Sequence, residues 1–236
     1  MRLDKMLSEN TAFTRSEIKA LIRKGQATVN GKTVKSADTK VEFGDTITFC
    51  GSLVNTDEFI YVKMNKPKGV LTATRDNRKT VVDLLPPELN IKNLFPVGRL
   101  DKDTTGLLIL TNDGELAHRL ISPKNHAEKV YEVVLDGRVP QSLIAEFEKG
   151  VTLHDGTLLK PAGLKIIEDN KCIVTLIEGK YHQIKRMFGV YDLGVNELKR
   201  ISFAGILLTK SLKEGESKLL TKDEQKLLKM AKNHKK

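Results

Sequence analysis

The chain has 236 residues, enough for two domains or for one large domain with a sizeable core. Its 40 Lys and Arg residues exceed its 30 Asp and Glu residues, and the formal charge of +10 favours a polyanionic partner, with nucleic acid ahead of an anionic membrane surface. No apolar run approaches the roughly 18 residues of a membrane span, and no apolar stretch follows the first five residues, so neither a span nor a secretory signal is expected. We therefore expect a cytoplasmic enzyme or RNA binder.

Residues 1–58 are predicted to form a small separate module. A first helix is expected over residues 3–9. Thr14 and Glu17 have the spacing of a capping box, which predicts a second helix over residues 15–23 that ends at Gly25. Asn30-Gly31 predicts a hairpin between two short strands, and a further strand is expected at residues 46–49. Residues 51–58 have a loop-like composition and are the expected linker.

Residues 59–236 alternate between strand-like and helix-like segments. Strands are expected at residues 59–67, 107–111, 129–135, 164–179 (as a hairpin) and 200–208, and helices at residues 115–121, 140–149 and 181–192. Hairpins mixed with helices predict an α+β fold with a mainly antiparallel sheet flanked by helices. The basic tail, residues 229–236, is expected to be a helix that frays into solvent.

Cysteine and histidine give no sign of a metal site. The chain has 2 Cys and 5 His residues, and no pair has a ligand-like spacing. Cys50 and Cys172 each follow an alternating strand-like run, so both are expected to be small core or strand residues.

The second predicted helix carries a row of positive charge. Arg15, Lys19 and Arg23 are spaced four apart and lie on one helical face, and Lys24 follows. Such a row can bind phosphates, although an ordinary solvated helix face has the same pattern. The module from Arg2 to Asp45 resembles an S4 domain through RLDKML, the RSEIKALIRKG helix and the VNG turn. This resemblance implies that Arg2, Arg15, Lys19, Arg23 and Lys24 contact structured RNA.

Asp101 is the most prominent candidate for chemistry. It lies in the segment GRLDKDTTGLLILTNDG, in a polar loop before a short apolar strand. Spacing alone favours a turn or cap residue, as most loop Asp residues are. The segment, however, resembles the catalytic motif of pseudouridine synthases that modify ribosomal RNA. Three further segments resemble the family in its order, namely NKPKG, KVYEVV and EGKYHQIKRMFG.

The resemblance implies an isomerase with Asp101, Tyr131 and Lys185 in its catalytic site. The reaction breaks the N1–C1′ bond of uridine, rotates the uracil and joins C5 to C1′, so neither a redox cofactor nor a metal is required. Asp101 would act as an ionised carboxylate, by adding to C1′ or through a glycal, and Lys185 would keep it ionised with Arg186 beside it. Tyr131 would stack on the base and exchange a proton. Arg99 would occupy the space that the flipped base leaves or brace the flipped nucleotide.

Each of these residues also has an ordinary structural interpretation. Lys185 has the pattern of a solvated helix residue, Tyr131 of a sheet-packing aromatic, and Arg99 of a phosphate contact or an ion-pair partner. Asp103-Thr104-Thr105 and Tyr181-His182 resemble the 16S rRNA (RsuA-like) group rather than the large-subunit group. We therefore expect a monomeric 16S rRNA pseudouridine synthase that acts on RNA or on an assembling particle. The alternatives are a 23S rRNA synthase and a non-catalytic, S4-containing assembly factor.

Overall fold

The computed structural model describes residues 1–54, 56–89, 93–122 and 127–231. The chain divides into two compact units, each with its own sheet and hydrophobic core. The first comprises Met1–Ile60 with Leu85–Leu94, and the second comprises Tyr61–Leu84 and the chain from Phe95 onward. The sequence predicted one boundary, after residue 58. That prediction did not assign Leu85–Leu94 to the first unit.

The first unit packs two helices against a four-stranded antiparallel sheet of order β2-β1-β3-β4. Its elements are α1 (Leu3–Asn10), α2 (Arg15–Arg23), β1 (Ala27–Val29), β2 (Lys32–Val34), β3 (Ile47–Phe49) and β4 (Ser52–Val54). Helix α2 begins at the predicted capping box, because the Thr14 side chain accepts from the Glu17 backbone nitrogen and the Glu17 side chain accepts from the Thr14 nitrogen. The core is apolar and includes Leu3, Ile18, Ile22 and Phe49.

Two tight hairpins shape this sheet, and the sequence revealed one of them. Asn30 and Gly31 both have positive φ and join β1 to β2, as the Asn-Gly pair predicted. Cys50 and Gly51 also have positive φ and join β3 to β4, so the interpretation of residues 51–58 as a linker was wrong over Ser52–Val54. Cys50 is therefore an exposed turn residue rather than a core residue. Cysteine rarely adopts the left-handed region, and the sequence consequently gave no hairpin signal there.

The second unit is built on a nine-stranded sheet of order β13-β5-β7-β11-β8-β10-β9, with β12 on β11 and β6 on β7. Its elements are β5 (Tyr61–Lys66), β6 (Phe95–Pro96), β7 (Thr105–Thr111), α3 (Gly114–Ile121), β8 (Lys129–Leu135), α4 (Leu143–Lys149), β9 (Gly163–Glu168), β10 (Lys171–Leu176), α5 (Gln183–Gly189), β11 (Val195–Phe203), β12 (Ile206–Leu207), β13 (Ser217–Leu219) and α6 (Lys222–Met230). Its paired strands are antiparallel except β7 and β11, which are parallel. The predicted α+β class with a mainly antiparallel sheet is confirmed.

The carboxyl-terminal part of the sheet is more divided than the sequence indicated. Residues 200–208 form two paired strands, β11 and β12, because Ala204 and Gly205 both have positive φ and reverse the chain. Strand β13 was not predicted, and it pairs with β5 at the edge of the sheet. Cys172 is buried in β10 as expected, and burial raises the pKa of its thiol to about 11. Residues 232–236 of the predicted basic tail lie outside the described residues.

Gly106 permits the parallel contact at the centre of the sheet. It pairs with Arg200 across β7 and β11 and has a φ of +100°. A Cβ on Gly106 would lie 2.7 Å from the Arg200 backbone nitrogen and closer still to the Arg200 carbonyl oxygen. Glycine is needed here both for its conformation and for its size.

Gly106→Ala is expected to destabilise the second unit far more than Gly205→Ala does. Gly205 also has positive φ, but no atom lies within 4 Å of a Cβ built there. The free energy of unfolding of the Gly205→Ala control should therefore fall only by the cost of a left-handed backbone, roughly 1–2 kcal/mol. The free energy of unfolding of Gly106→Ala should fall by about 1–3 kcal/mol more because of steric crowding. Urea unfolding of the two variants measures the difference, and equal losses would contradict a close contact between β7 and β11.

Candidate active site

A cavity of about 160 Å³ opens in the second unit. Its walls come from the segment before β7 and from β8, β11 and the chain between β10 and α5. The charged and polar residues that line it include Arg99, Asp101, Lys129, Tyr131, Glu178, His182, Gln183 and Arg200. Three of the predicted site residues, Arg99, Asp101 and Tyr131, thus line one cavity, although Tyr131 is distant in sequence from the other two.

Asp101 lies in a loop that hydrogen bonds hold on both sides. Thr72 donates through Oγ1 to the Leu100 carbonyl at 2.7 Å and accepts from the Leu100 nitrogen at 3.2 Å. The Thr104 nitrogen donates to the Asp101 carbonyl at 3.1 Å. The backbone on either side of the carboxylate is therefore fixed, and this supports a constant direction for the side chain.

Lys66 secures the same loop from inside the protein. Its side chain is fully buried at the end of β5, and Nζ donates to the carbonyls of Thr104 at 2.9 Å, Pro67 at 3.1 Å and Lys102 at 3.4 Å. Burial lowers the pKa of Lys66 to about 8, although the negative charges of Asp103 and Asp101 oppose that shift. This geometry gives the NKPKG segment a structural task.

The side chain of Asp101 lines the cavity and is 30% exposed. Its Oδ1 lies 3.5 Å from Nε2 of His182, and the neighbouring Tyr181 ring stacks on the His182 ring at 3.8 Å. His182 adopts the left-handed backbone region with φ of 49°, a strained conformation for a residue with a side chain. A partner of Asp101 is thus found immediately before α5, although it is not the residue that the sequence suggested.

Lys185 makes its hydrogen bond to Asp103, a carboxylate near Asp101 in the same loop. Its ammonium group donates to Oδ2 of Asp103, two residues after Asp101, and this hydrogen bond is the main reason that the pKa of Asp103 is low. Arg186 pairs in the same way with Asp155. Neither cation is among the residues that line the cavity. The sequence had suggested Asp101 as the partner of Lys185, and the structure pairs Lys185 with the second carboxylate of that loop.

Tyr131 lies in β8 on the inner wall, and its side chain is buried at 8% exposure. Lys129 lies two residues earlier in the same strand and lines the same cavity. Burial lowers the pKa of Lys129 to about 8, with a smaller lowering from the positive charge of Arg200 and an opposing effect of Glu178. Arg200 lies directly opposite Tyr131 in β11 and is 2% exposed.

Sequence reasoning did not select Lys129, His182, Glu178, Gln183 or Arg200 for the cavity. The alternation of a strand contains the signal for Lys129, because residues two apart project from the same face as Tyr131. Glu178 and Gln183 brace the chain before α5, since Oε1 of Glu178 accepts from Nε2 of Gln183 at 2.9 Å and from the Lys160 nitrogen at 3.0 Å. Arg200 had no comparable signal, because the pairing of β11 with β8 is a long-range property.

The first unit presents the predicted row of cations on its surface. Arg15, Lys19, Arg23 and Lys24 are exposed, whereas Ile18 and Ile22 of α2 are buried. Arg2 is half exposed and makes two 3.0 Å hydrogen bonds to the Asp4 carboxylate. Arg2 therefore has a local partner, whereas the row on α2 points to solvent.

The described residues contain no helix that is long and apolar enough to cross a membrane. Nor do they contain a group of three or more His, Cys, Asp or Glu side chains arranged to hold a metal ion. The side chains that line the cavity include carboxylate, phenol, imidazole and cationic groups.

Comparison with known proteins assigns the chain to a class of RNA-modifying enzymes, those that rearrange uridine. Residues 60–189 match the RNA pseudouridylate synthase family, and residues 1–47 match the S4 domain. The chain therefore belongs to the RNA pseudouridylate synthase family, whose members are isomerases.

Relatives match along nearly the whole chain. An RNA pseudouridine synthase of Bacillus subtilis, named as uncharacterized, is 45% identical and covers 97% of this chain and 98% of its own. Proteins named ribosomal small subunit pseudouridine synthase A are 39% identical in Haemophilus influenzae, covering 97% and 100%, and 38% identical in Escherichia coli, covering 95% and 98%. A crystal structure of a pseudouridylate synthase is 38% identical with a TM-score of 0.69, and the match covers 97% of this chain and 99% of that one.

The two buried lysines, Lys66 and Lys129, are expected to lose their protons at a lower pH than ordinary lysines do. The ammonium groups of Lys66 and Lys129 should lose their protons as the pH rises through about 8, below the ordinary lysine pKa of roughly 10.4. Carbon-13 NMR of labelled lysine side chains measures this. Two signals should change near pH 8, and Lys129→Met should remove one of them. If both lysine signals changed only near pH 10, Lys66 and Lys129 would not be shielded from water as the structure indicates.

Proposed function

We propose that this protein converts a uridine of 16S rRNA to pseudouridine, with Asp101 as the catalytic carboxylate. The observation that carries the proposal is the meeting of Asp101, Tyr131 and Arg99 on one cavity in a chain of this family. The small-subunit names of the relatives in Haemophilus influenzae and Escherichia coli support 16S rRNA as the substrate. The protein would act as a monomer in the cytoplasm, on RNA or on an assembling ribosomal particle.

Asp101 would act at the sugar of the target nucleotide. Its carboxylate either adds to C1′ as the N1–C1′ bond breaks or takes the 2′ proton to give a glycal. Both routes begin from an ionised, fixed carboxylate at the cavity, and the 30% exposure of the Asp101 side chain leaves it accessible to a ribose. The rigid backbone around Leu100 and Thr104 supports this role, because small displacements of a reacting group slow a reaction strongly.

Tyr131 and Arg99 would handle the base. The buried ring of Tyr131 offers an apolar face on which uracil can stack, and its hydroxyl can exchange a proton. The base must leave its stack in the RNA, which costs a few kcal/mol. Arg99 lines the cavity two residues before Asp101, and it would brace the flipped nucleotide or fill the space left behind.

Lys185 would act through the loop rather than on the substrate. Its pairing with Asp103 supports a positioning role, because it ties α5 to the segment that carries Asp101. Arg186, paired with Asp155, would contribute less to the loop and more to the surface around the cavity. The exposed row on α2, together with Arg2 and Lys24, would bind phosphates of the RNA.

Mapping of pseudouridines in ribosomal RNA separates this proposal from its rivals. Cells that lack the gene should lose a pseudouridine of 16S rRNA and regain it with the wild-type gene. Loss of a 23S rRNA pseudouridine instead would favour a large-subunit synthase. An unchanged map with defective ribosome assembly would favour a non-catalytic RNA-binding factor.

Asp101→Asn should abolish turnover and leave RNA affinity within a few-fold. The substitution keeps the size of the side chain and removes the charge that the chemistry needs. Asp103→Asn is the matched control, because it removes a carboxylate from the same loop. The Asp103 carboxylate pairs with Lys185 and does not line the cavity. The control should lower the rate by roughly 100-fold or less, which is the cost that a displacement of about 1 Å can have, and should retain measurable turnover. Single-turnover pseudouridine formation measures both variants, and near-normal turnover by Asp101→Asn would refute the proposed chemistry.

Removal of the charges of Arg15, Lys19 and Arg23 should weaken RNA binding mainly at low salt. Each lost phosphate contact should flatten the log–log salt dependence by roughly 0.7–0.9, whereas the maximal rate should change little. The matched control neutralises Lys165, Lys210 and Lys213, three exposed residues of the second unit, and removes the same net charge. If the control flattens the slope equally, net charge rather than the row on α2 explains the binding.

A further inference from the structure

Arg200 is a cation buried in the wall of the cavity with part of its guanidinium unused. The side chain is 2% exposed, and Nε donates to the Leu107 carbonyl at 2.7 Å. Nη2 has no hydrogen-bond partner among the described residues. The guanidinium carbon lies 4.8 Å from the centre of the Phe203 ring. Burying a charged donor without a partner is costly, so such a group is a candidate for binding a negatively charged ligand.

Lys129 supplies a second positive charge to the same wall. Its Nζ donates to the Ala127 carbonyl at 2.8 Å and lies 5.8 Å from the centre of the Phe203 ring. In the pairing of β8 with β11, Lys129 faces Phe203 and Tyr131 faces Arg200. The two cations therefore flank the stretch of sheet that contains the Tyr131 ring.

The carboxylates of the cavity leave Nη2 of Arg200 without a hydrogen-bond partner among the described residues. Asp101 has 30% of its side chain exposed, and its near neighbour is His182. Glu178 acts electrostatically on Lys129, and its Oε1 accepts hydrogen bonds from Gln183 and from the Lys160 nitrogen. Arg200 is thus a buried cation of the cavity, whereas the carboxylate of Asp101 is partly exposed.

We propose that Arg200 and Lys129 stabilise the negative charge that forms on uracil when it separates from the ribose. This inference rests on the proposed function and assigns two residues to one step of it. The base would lie deeper than the ribose, because the ribose must stay near Asp101, which is more exposed than Tyr131 and Arg200. A phosphate remains outside the sugar and would have to pass it to reach a guanidinium that is 2% exposed. The depth of Arg200 therefore favours the base over the phosphate as its ligand.

The charge balance of the reaction requires such a partner. When the N1–C1′ bond breaks, its electron pair stays on N1, and the uracil leaves as an anion delocalised over the ring nitrogens and the oxygens O2 and O4. The sugar is satisfied by a new bond from Asp101 to C1′ or by loss of the 2′ proton to Asp101. The uracil then turns and C5 bonds to C1′, which breaks the bond between Asp101 and C1′ or, on the glycal route, accompanies return of the proton from Asp101 to C2′. The C5 proton then moves to N1, with the Tyr131 hydroxyl as the group that can exchange it, and the product is neutral. Two fixed cations hold the anion during the turn without bonding to the sugar.

The leaving-group test uses RNA in which 5-fluorouridine replaces the target uridine. Fluorine stabilises the uracil anion by itself, so that substrate depends less on cations of the protein. Arg200→Met and Lys129→Met should each slow cleavage of the N1–C1′ bond of uridine by about 100-fold. The loss with 5-fluorouridine should be smaller by about 10-fold, because less charge stabilisation is required. Single-turnover loss of the N-linked nucleoside, measured by mass spectrometry after digestion, reports both rates.

The matched control is Lys199→Met, which removes a cation from the neighbouring position of β11. Lys199 lies opposite Glu132 in the pairing of β11 with β8 and does not line the cavity, so both substrates should react at nearly wild-type rates. The ratio of the two rates is taken within one preparation, and a partly unfolded variant does not alter it. If Arg200→Met does not fold, Lys129→Met gives the same ratio.

Equal losses on both substrates would overturn the inference and make these cations structural. Weaker substrate binding with an unchanged maximal rate would assign them to phosphate and overturn it as well. Failure of the proposed function would give a different result, because the wild-type protein would then leave uridine unchanged in the 16S substrate.

Discussion

The close parallel contact of β7 with β11 is the constraint on which the candidate site depends. It joins the strands β13, β5 and β7 to the strands β11, β8, β10 and β9 in one sheet, and it requires Gly106 to lie against the backbone of Arg200. Asp101 precedes β7, and Tyr131 lies in β8 on the far side of β11. The distance between the proposed carboxylate and the buried ring is therefore set by one glycine-dependent contact.

Positive charge has separate tasks in different parts of the second unit. Lys66 and Lys185 hold the loop around Asp101, the first through three backbone carbonyls and the second through Asp103. Arg200 and Lys129 face the cavity instead. Burial lowers the pKa of both Lys66 and Lys129 to about 8, which marks them as cations kept away from water. The exposed row on α2 is a third set, suited to solvated phosphates.

Local chemistry explains what the sequence predicted well. The capping box at Thr14 and the Asn30-Gly31 turn involve residues close in sequence, and both are confirmed. The Cys50-Gly51 turn was missed because cysteine seldom adopts positive φ. The choice between Asp101 and Asp103 as the partner of Lys185 depends on a few ångströms of loop geometry. The place of Arg200 depends on the pairing of distant strands, and no local pattern encodes either property.

The central claim is that the cavity beside Asp101 receives the target uridine. A crystal structure of the protein with a 16S rRNA fragment that carries 5-fluorouridine at the modified position tests it most directly. The account predicts that the base lies out of the RNA stack against Tyr131, with its ring edge toward Arg200 and with C1′ in contact with the Asp101 carboxylate. A base that lies stacked in the RNA, or in another part of the surface with Asp101 distant from C1′, would contradict the account.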